Sequence, residues 1–184
     1  MKIITSDKFQ TALWKNGAGV THQIEQNQSE NTYSWRFSLA EAVENGPFSR
    51  FPERARVLTV VKGQGMTLIS PSDRLQAKPY CPVDFDGDIL VNGKLLNGPV
   101  LNYNFVFNPK LILPEFSIIR DVSEMVVSVP PEGRICLFAA TGDVAANGQT
   151  LHTHDFAISR KEDMYISVNP LSVAVLTVIN VVTD

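Results

Sequence analysis

Cysteine and histidine are scarce in this chain, with Cys81, Cys136 and three histidines among 184 residues. Two distant cysteines without metal-type spacing argue against a multi-bridge disulfide framework or a zinc ribbon, and they read as free thiols of a reducing compartment, with a single Cys81–Cys136 pair the alternative. Positive charge is not in excess: 16 Lys+Arg stand against 19 Asp+Glu, for a net charge of -3. No basic stripe appears along the sequence, which argues against a nucleic-acid partner. Long hydrophobic runs are absent too. The longest, 171–182, is interrupted by Ser172, Thr177 and Asn180 and reads as a strand rather than a membrane span. The N-terminus turns polar at Thr5-Ser6-Asp7, too early for a secretory signal, so a cytoplasmic protein with no membrane partner is expected. Helical periodicity is lacking: the best candidate, 38–44, continues more naturally as a strand.

What is present is a series of short segments rich in Val, Ile, Leu, Phe and Thr. Turn signals separate them, among them Asn45-Gly46-Pro47, Lys62-Gly63-Gln64-Gly65, Asp86-Gly87-Asp88, Asn92-Gly93, Asn97-Gly98-Pro99 and Asn147-Gly148. That cadence predicts an all-β protein of antiparallel sandwich or barrel type. Strands are expected at 20–26, 33–42, 56–61, 66–69, 100–107, 116–119, 125–129, 134–140, 156–159, 164–168 and 172–182. These are too many for one small sandwich and enough for two. Asn108-Pro109-Lys110 is the natural seam, dividing the chain into an N-terminal barrel, 1–109, and a C-terminal one, 110–184, with strand exchange between the halves left open. No Gly-, Ser- or charge-rich linker lies at the seam, so the halves are expected to pack as one unit.

The chemistry concentrates in the first half. Alternation along a strand puts Arg36, Ser38, Ala40 and Ala42 on one face and Trp35, Phe37 and Leu39 on the other. The second set is core; the first is an arginine followed by small residues that leave room beside it. On a neighbouring strand Arg56, Leu58 and Val60 share a face. Two guanidinium groups facing one hollow would suit a carboxylate or phosphate, with Asn16, Thr21, Ser38 and Ser49 supplying short polar groups nearby. The competing account pairs each arginine with a protein acid such as Glu41 or Glu53. The run Asn16-Gly17-Ala18-Gly19 lacks the Lys-Ser/Thr ending of a phosphate loop, and His22 stands where a dinucleotide fingerprint needs glycine. Asp84-Phe85-Asp86-Gly87-Asp88 has its glycine too early for a calcium loop and reads as a tight turn.

Taken together, Trp14-Lys15-Asn16-Gly17-Ala18-Gly19-Val20-Thr21, Trp35-Arg36-Phe37-Ser38-Leu39-Ala40, Asn45-Gly46-Pro47-Phe48-Ser49-Arg50-Phe51-Pro52, Arg56-Val57-Leu58 and Gly63-Gln64-Gly65-Met66 closely resemble the HutD/Ves family. So do Phe85-Asp86-Gly87-Asp88, Leu96-Asn97-Gly98-Pro99 and Asn102-Tyr103-Asn104, in the family's order across residues 14–104. The resemblance implies a bicupin, two β-barrels of jelly-roll type in tandem. It also implies a role in regulating histidine utilisation through binding of a small acidic intermediate, although some members stand outside that pathway. Carried over residue by residue, the ligand-binding set falls on Trp14, Asn16, Thr21, Arg36, Ser38, Ser49, Arg56 and Asn104. The chain departs from the family pattern at Asn102, where an aspartate is usual, and at Asn108-Pro109, where an arginine is usual; both bear on which ligand is bound.

Other chemistries are poorly supplied. His152-Thr153-His154 would place two imidazoles on one strand face as cupin metal ligands do, yet Glu162 comes late and no further histidine follows. No nucleophile elbow is present, and neither cysteine has a histidine close in sequence. No cofactor and no metal are therefore expected, and arginines with hydroxyls supply binding rather than a general base. The sequence reading is a non-catalytic binder of a small carboxylate. A cupin enzyme using His152, His154 and Glu162, or a protein acting through its barrel surface, are the alternatives; exposed sheet edges are compatible with a homodimer.

Overall fold

The structure, a computed structural model, describes residues 1–14, 17–29 and 32–182. It is built of antiparallel strands and divides into two compact units, Gln10–Pro109 and Met1–Phe9 with Lys110–Asp184.

In the first of these units a six-stranded sheet has the order β2 (Gln10–Leu13), β3 (Gly19–Ser29), β4 (Thr32–Ala42), β11 (Val100–Phe107), β6 (Ala55–Lys62), β9 (Val83–Asp86). Facing it is a four-stranded sheet, β5 (Gly46–Pro47), β10 (Asn92–Leu95), β7 (Met66–Ile69), β8 (Arg74–Ala77). Leu58, Val60 and Val100 from the larger sheet meet Met66, Leu68 and Ala77 from the smaller in one apolar cluster. The larger sheet's other face carries an aromatic layer: Phe37 stacks on Phe105 at 4.5 Å and on Tyr103 at 5.7 Å between ring centroids. All three are fully buried, each burial contributing about 1.5–3 kcal/mol. Alternation along β4 thus commits Phe37 to that layer and leaves Arg36 and Ser38 on the face toward the smaller sheet.

The second unit repeats the plan with a five-stranded sheet, β1 (Lys2–Ile4), β17 (Phe156–Ser159), β14 (Arg134–Thr141), β19 (Val173–Val181), β12 (Ile112–Ile119). Its partner is β13 (Val122–Val127), β18 (Met164–Val168), β15 (Val144–Ala146), β16 (Gln149–Leu151). Between them Ile135, Leu137, Leu151, Met164, Ile166 and Leu176 form an apolar filling. In both units the hydrogen bonding stops at two sheets, so each is a jelly-roll sandwich rather than a closed barrel, as the fold class requires.

Two details differ from the sequence reading. Residues 1–9, assigned there to the N-terminal barrel, belong to the other unit. β1 pairs with β17 through Ile3↔Ala157, and Ile3 packs on that unit's core, which gives this edge segment both a ladder and an apolar seat. Asn92-Gly93, read as a turn, begins a strand. A Cβ on Gly93 would lie 2.5 Å from Phe48 Cε2, so the glycine makes room for a ring.

Candidate functional site

Strand register assembles the site row by row on the inner face of the six-stranded sheet. Arg36 of β4 lies opposite Val106 of β11, which lies opposite Arg56 of β6, which lies opposite Phe85 of β9. In the next row Ser38 faces Asn104, and Asn104 faces Leu58. One row further, Thr21 of β3 faces Ala40, which faces Asn102. The arginines of β4 and β6 are thus held two strands apart by the valine between them, pointing to the same side. Small residues at 38 and 40 leave the space that a larger side chain would fill.

A cavity of about 60 Å³ opens there, with Trp14, Thr21, Arg36, Ser38, Ser49, Arg56 and Asn104 in its wall. A buried water needs about 10–15 Å³ on this measure, so the space suits a ligand of a few heavy atoms. Seven of the eight residues expected from the sequence are therefore brought together; Asn16 lies outside the described residues.

The floor is buried and the rim is exposed. Arg56, Ser38 and Asn104 are at most 5% exposed, whereas Ser49 is open to solvent. Arg56 Nε and Nη2 both donate to Asn104 Oδ1, at 3.0 and 2.5 Å. Asn104 Nδ2 donates in turn to the Asn102 carbonyl at 3.1 Å, which fixes the amide so that its oxygen faces the guanidinium. Trp14 Nε1 donates to Thr21 Oγ1 at 2.8 Å. Gly19 allows this, because a Cβ there would sit 3.0 Å from the Trp14 ring and 2.2 Å from the Glu41 carbonyl oxygen.

Aromatic faces complete the cation's surroundings. The Arg56 guanidinium carbon lies 4.8 Å from the Phe48 ring centroid, 5.4 Å from Phe85 and 5.7 Å from Phe51, and that of Arg36 lies 5.0 Å from Phe51. Such contacts favour a cation without neutralising it. The segment bearing Phe48 and Phe51 is pinned by Phe48 N–H to the Val91 carbonyl and Phe51 N–H to the Gly87 carbonyl. Arg50 adds bonds to both the side chain and the carbonyl of Asp88, each 2.6 Å. The Asp86-Gly87-Asp88 turn is therefore a clasp for the cavity's roof.

Among the described residues no aspartate or glutamate lines the cavity. Glu41 lies on the opposite face of β4 from Arg36, and among the described residues the polar partner of Arg56 is an uncharged amide. Burial first, and the neighbouring Arg36 charge second, push the Arg56 guanidinium down to about 9, still cationic at neutral pH. Two guanidinium groups thus share one wall of the cavity, a setting whose chemistry suits an anion.

Sequence reasoning missed Phe48, Phe51, Phe85 and Val106. Val106 was accessible from alternation, being two residues from Asn104 on one face. The phenylalanines carried no such signal, because their use as guanidinium covers depends on loop docking and on a short strand, β9, that reads as a turn.

The histidine pair is placed differently from expectation. His152 to Asp155 form a turn rather than a strand face, with Asp155 Oδ2 accepting from the His152 N–H at 3.0 Å. His154 has a φ of 74° and stacks on Phe138 at 6.0 Å. His152 Nδ1 meets Asp143 Oδ1 at 3.0 Å on the surface, and that hydrogen bond, then the Asp143 charge, raises its pKa. Among the described residues no three His, Cys, Asp or Glu side chains converge as a metal cage.

Comparison with known proteins agrees with this architecture. A 21.2 kDa Pseudomonas putida protein from the hutC 3' region is 30% identical over 149 residues, spanning 78% of this chain and 76% of that protein. The solved structure of HutD from Pseudomonas fluorescens SBW25, determined in a formate condition, superposes with a TM-score of 0.88 at 23% identity over 99% of both chains. The conserved protein PA5104 of unknown function from Pseudomonas aeruginosa gives 0.87 at 22% over 97% of this chain and 98% of its own. The Escherichia coli pirin YhhW, solved with nickel(II), shares the fold at a TM-score of 0.72 and 11% identity, covering 96% and 97% of the two chains. The HutD family profile matches residues 6–175, and the chain belongs to the HutD family.

Proposed function

We propose that this protein binds a small carboxylate metabolite in the Gln10–Pro109 unit and acts as a sensor or buffer of that metabolite without catalysing its conversion. The observation that carries the reading is the buried Arg56, bonded to an amide oxygen and covered by aromatic rings, in a cavity whose wall contains a second arginine and, among the described residues, no acid. A cation kept from water in this way is costly to bury, and an anion that replaces the lost hydration recovers that cost. Arg36 and Arg56 clamp the carboxylate, Thr21, Ser38, Ser49 and Asn104 orient its polar groups, and Trp14 with Phe48 forms the apolar wall. The family's genomic link, visible in the hutC-region relative, directs attention to the acidic intermediates of histidine breakdown. Among the described residues that line the cavity none is a base near neutral pH, which favours retention of the ligand over turnover.

A thermal-shift screen of histidine-breakdown intermediates and short mono- and dicarboxylates tests this. At 100 times its dissociation constant a ligand adds about 2.7 kcal/mol, and at least one carboxylate is expected to reach that range with the wild type and to lose it with Arg36→Ala. A panel without any stabiliser, or an equal response from the variant, contradicts the reading.

A further inference from the structure

The Gln10–Pro109 unit contains a second hollow, apart from the arginine cavity. Its volume is about 250 Å³ against about 60 Å³ for the first, close to the ~300 Å³ at which small-molecule sites begin. The two have no lining residue in common. Topology explains why space is left here. β8 ends the four-stranded sheet and β9 ends the six-stranded one, so neither sheet continues with a further strand that would close the sandwich at this edge. The hollow lies between the turn at 70–73, which joins β7 to β8, and the segment 84–91, which carries β9 toward β10.

Its floor is apolar. Leu68 and Val91 are at most 3% exposed, Leu75 and Phe85 are half-buried and pack on the unit's core cluster, and Ile89 is exposed. Its rim is acidic. Asp73, Asp84 and Asp86, all exposed, belong to the wall, and among the described residues no Lys, Arg or His does. Asp73 Oδ1 accepts from the Arg74 N–H at 2.6 Å and Asp86 Oδ1 from the Asp88 N–H at 2.9 Å, bonds that orient a carboxylate without cancelling its charge. Among the described residues these acids do not form a metal cage, and an apolar floor offers a metal ion no oxygen ligands. A concave apolar surface edged by charge of one sign selects an apolar body that carries the opposite charge at one end.

We propose that this hollow is a binding site for a small amphipathic amine, its aryl or branched alkyl body seated on Leu68, Leu75, Phe85 and Val91 and its ammonium group among Asp73, Asp84 and Asp86. The site is independent of the carboxylate one and goes beyond it. Arg36 and Arg56 repel a cation, and three aspartates repel an anion, so the two hollows take ligands of opposite sign.

Titration with 2-phenylethylammonium and with 2-phenylethanol, its neutral counterpart of the same size, tests this, followed by the ¹³C-methyl signals of Leu68, Leu75, Ile89 and Val91. In the wild type those signals are expected to shift saturably with the ammonium compound, which binds about fivefold or more tightly than the alcohol, the scale of a partly exposed ion pair. The double variant Asp73→Asn, Asp84→Asn keeps the shape and an acceptor oxygen at each position and removes two charges. Both positions are exposed, so its melting temperature should match the wild type. It is expected to bind the alcohol as before and to prefer the ammonium compound by about twofold or less. Equal binding of the two probes by wild type, a preference unchanged in the double variant, or methyl signals that stay in place throughout the titration overturns the assignment.

Discussion

Arg56 is the residue on which the site turns. Its two donors converge on one amide oxygen and three rings lie around it, an arrangement that fixes a cation without cancelling it. Arg56→Met keeps the bulk and removes the charge. Loss of a charge-assisted hydrogen bond costs about 1.5–3 kcal/mol, so carboxylate affinity measured by calorimetry is expected to fall roughly ten- to a hundredfold. Unliganded stability is expected to hold or rise on denaturant unfolding, because the variant no longer buries a cation beside another. The pH dependence follows in sign. Burial depresses the guanidinium to about 9 in the free protein, and an adjacent anion favours its charged form, so binding is coupled to proton uptake once the free group begins to titrate. Affinity is expected to be flat from pH 6 to 8 and to decline above about 9, whereas a decline between 6 and 8 would assign the dependence to another group. For the unliganded fold the same depression means that, from about pH 9 upward, the unfolded chain keeps a proton that the folded chain gives up, so this group's contribution to stability rises with pH above that point.

At the scale of the element, alternation and register do most of the placement. β4 sends Phe37 to the aromatic layer and Arg36, Ser38 and Ala40 to the cavity, and this was legible because the bulky and small residues alternate strictly in the sequence. The long strands were found for the same reason: their burial stamps a continuous apolar signature on six or more residues. The strands that were missed are two to four residues long, such as Arg74–Ala77 and Val83–Asp86, and their one or two inward residues do not make a period. Glycines misled where they serve packing. Gly93 sits in β10 against the Phe48 ring, and Phe48 is a wall of the cavity. Gly93→Ala is expected to push that ring toward Arg56 and to cost about 1–3 kcal/mol of stability, as overpacking does. A weakening of carboxylate binding should accompany it, read by thermal unfolding and titration on the same sample. An alanine variant with unchanged stability and affinity would show that Phe48 can yield without consequence.

Across the whole molecule the charge balance runs against the site. The chain carries a net charge of -3, so its overall field does not gather anions, and under the proposed function selection rests on the two guanidinium groups of one small pocket. That contrast was only half visible in the sequence: composition gave the sign of the net charge, while the absence of acids from the cavity wall required the fold. Likewise the family resemblance named the polar set, but the aromatic covers emerged only from the packed sheets. The most direct test is a carboxylate titration followed by the side-chain Nε–Hε signals of ¹⁵N-labelled arginine, with Arg36 and Arg56 assigned by substitution. Both signals are expected to move saturably with the carboxylate that stabilises the protein and to stay still with its neutral amide analogue. Saturation of the protein with that carboxylate while both signals remain in place would contradict the account.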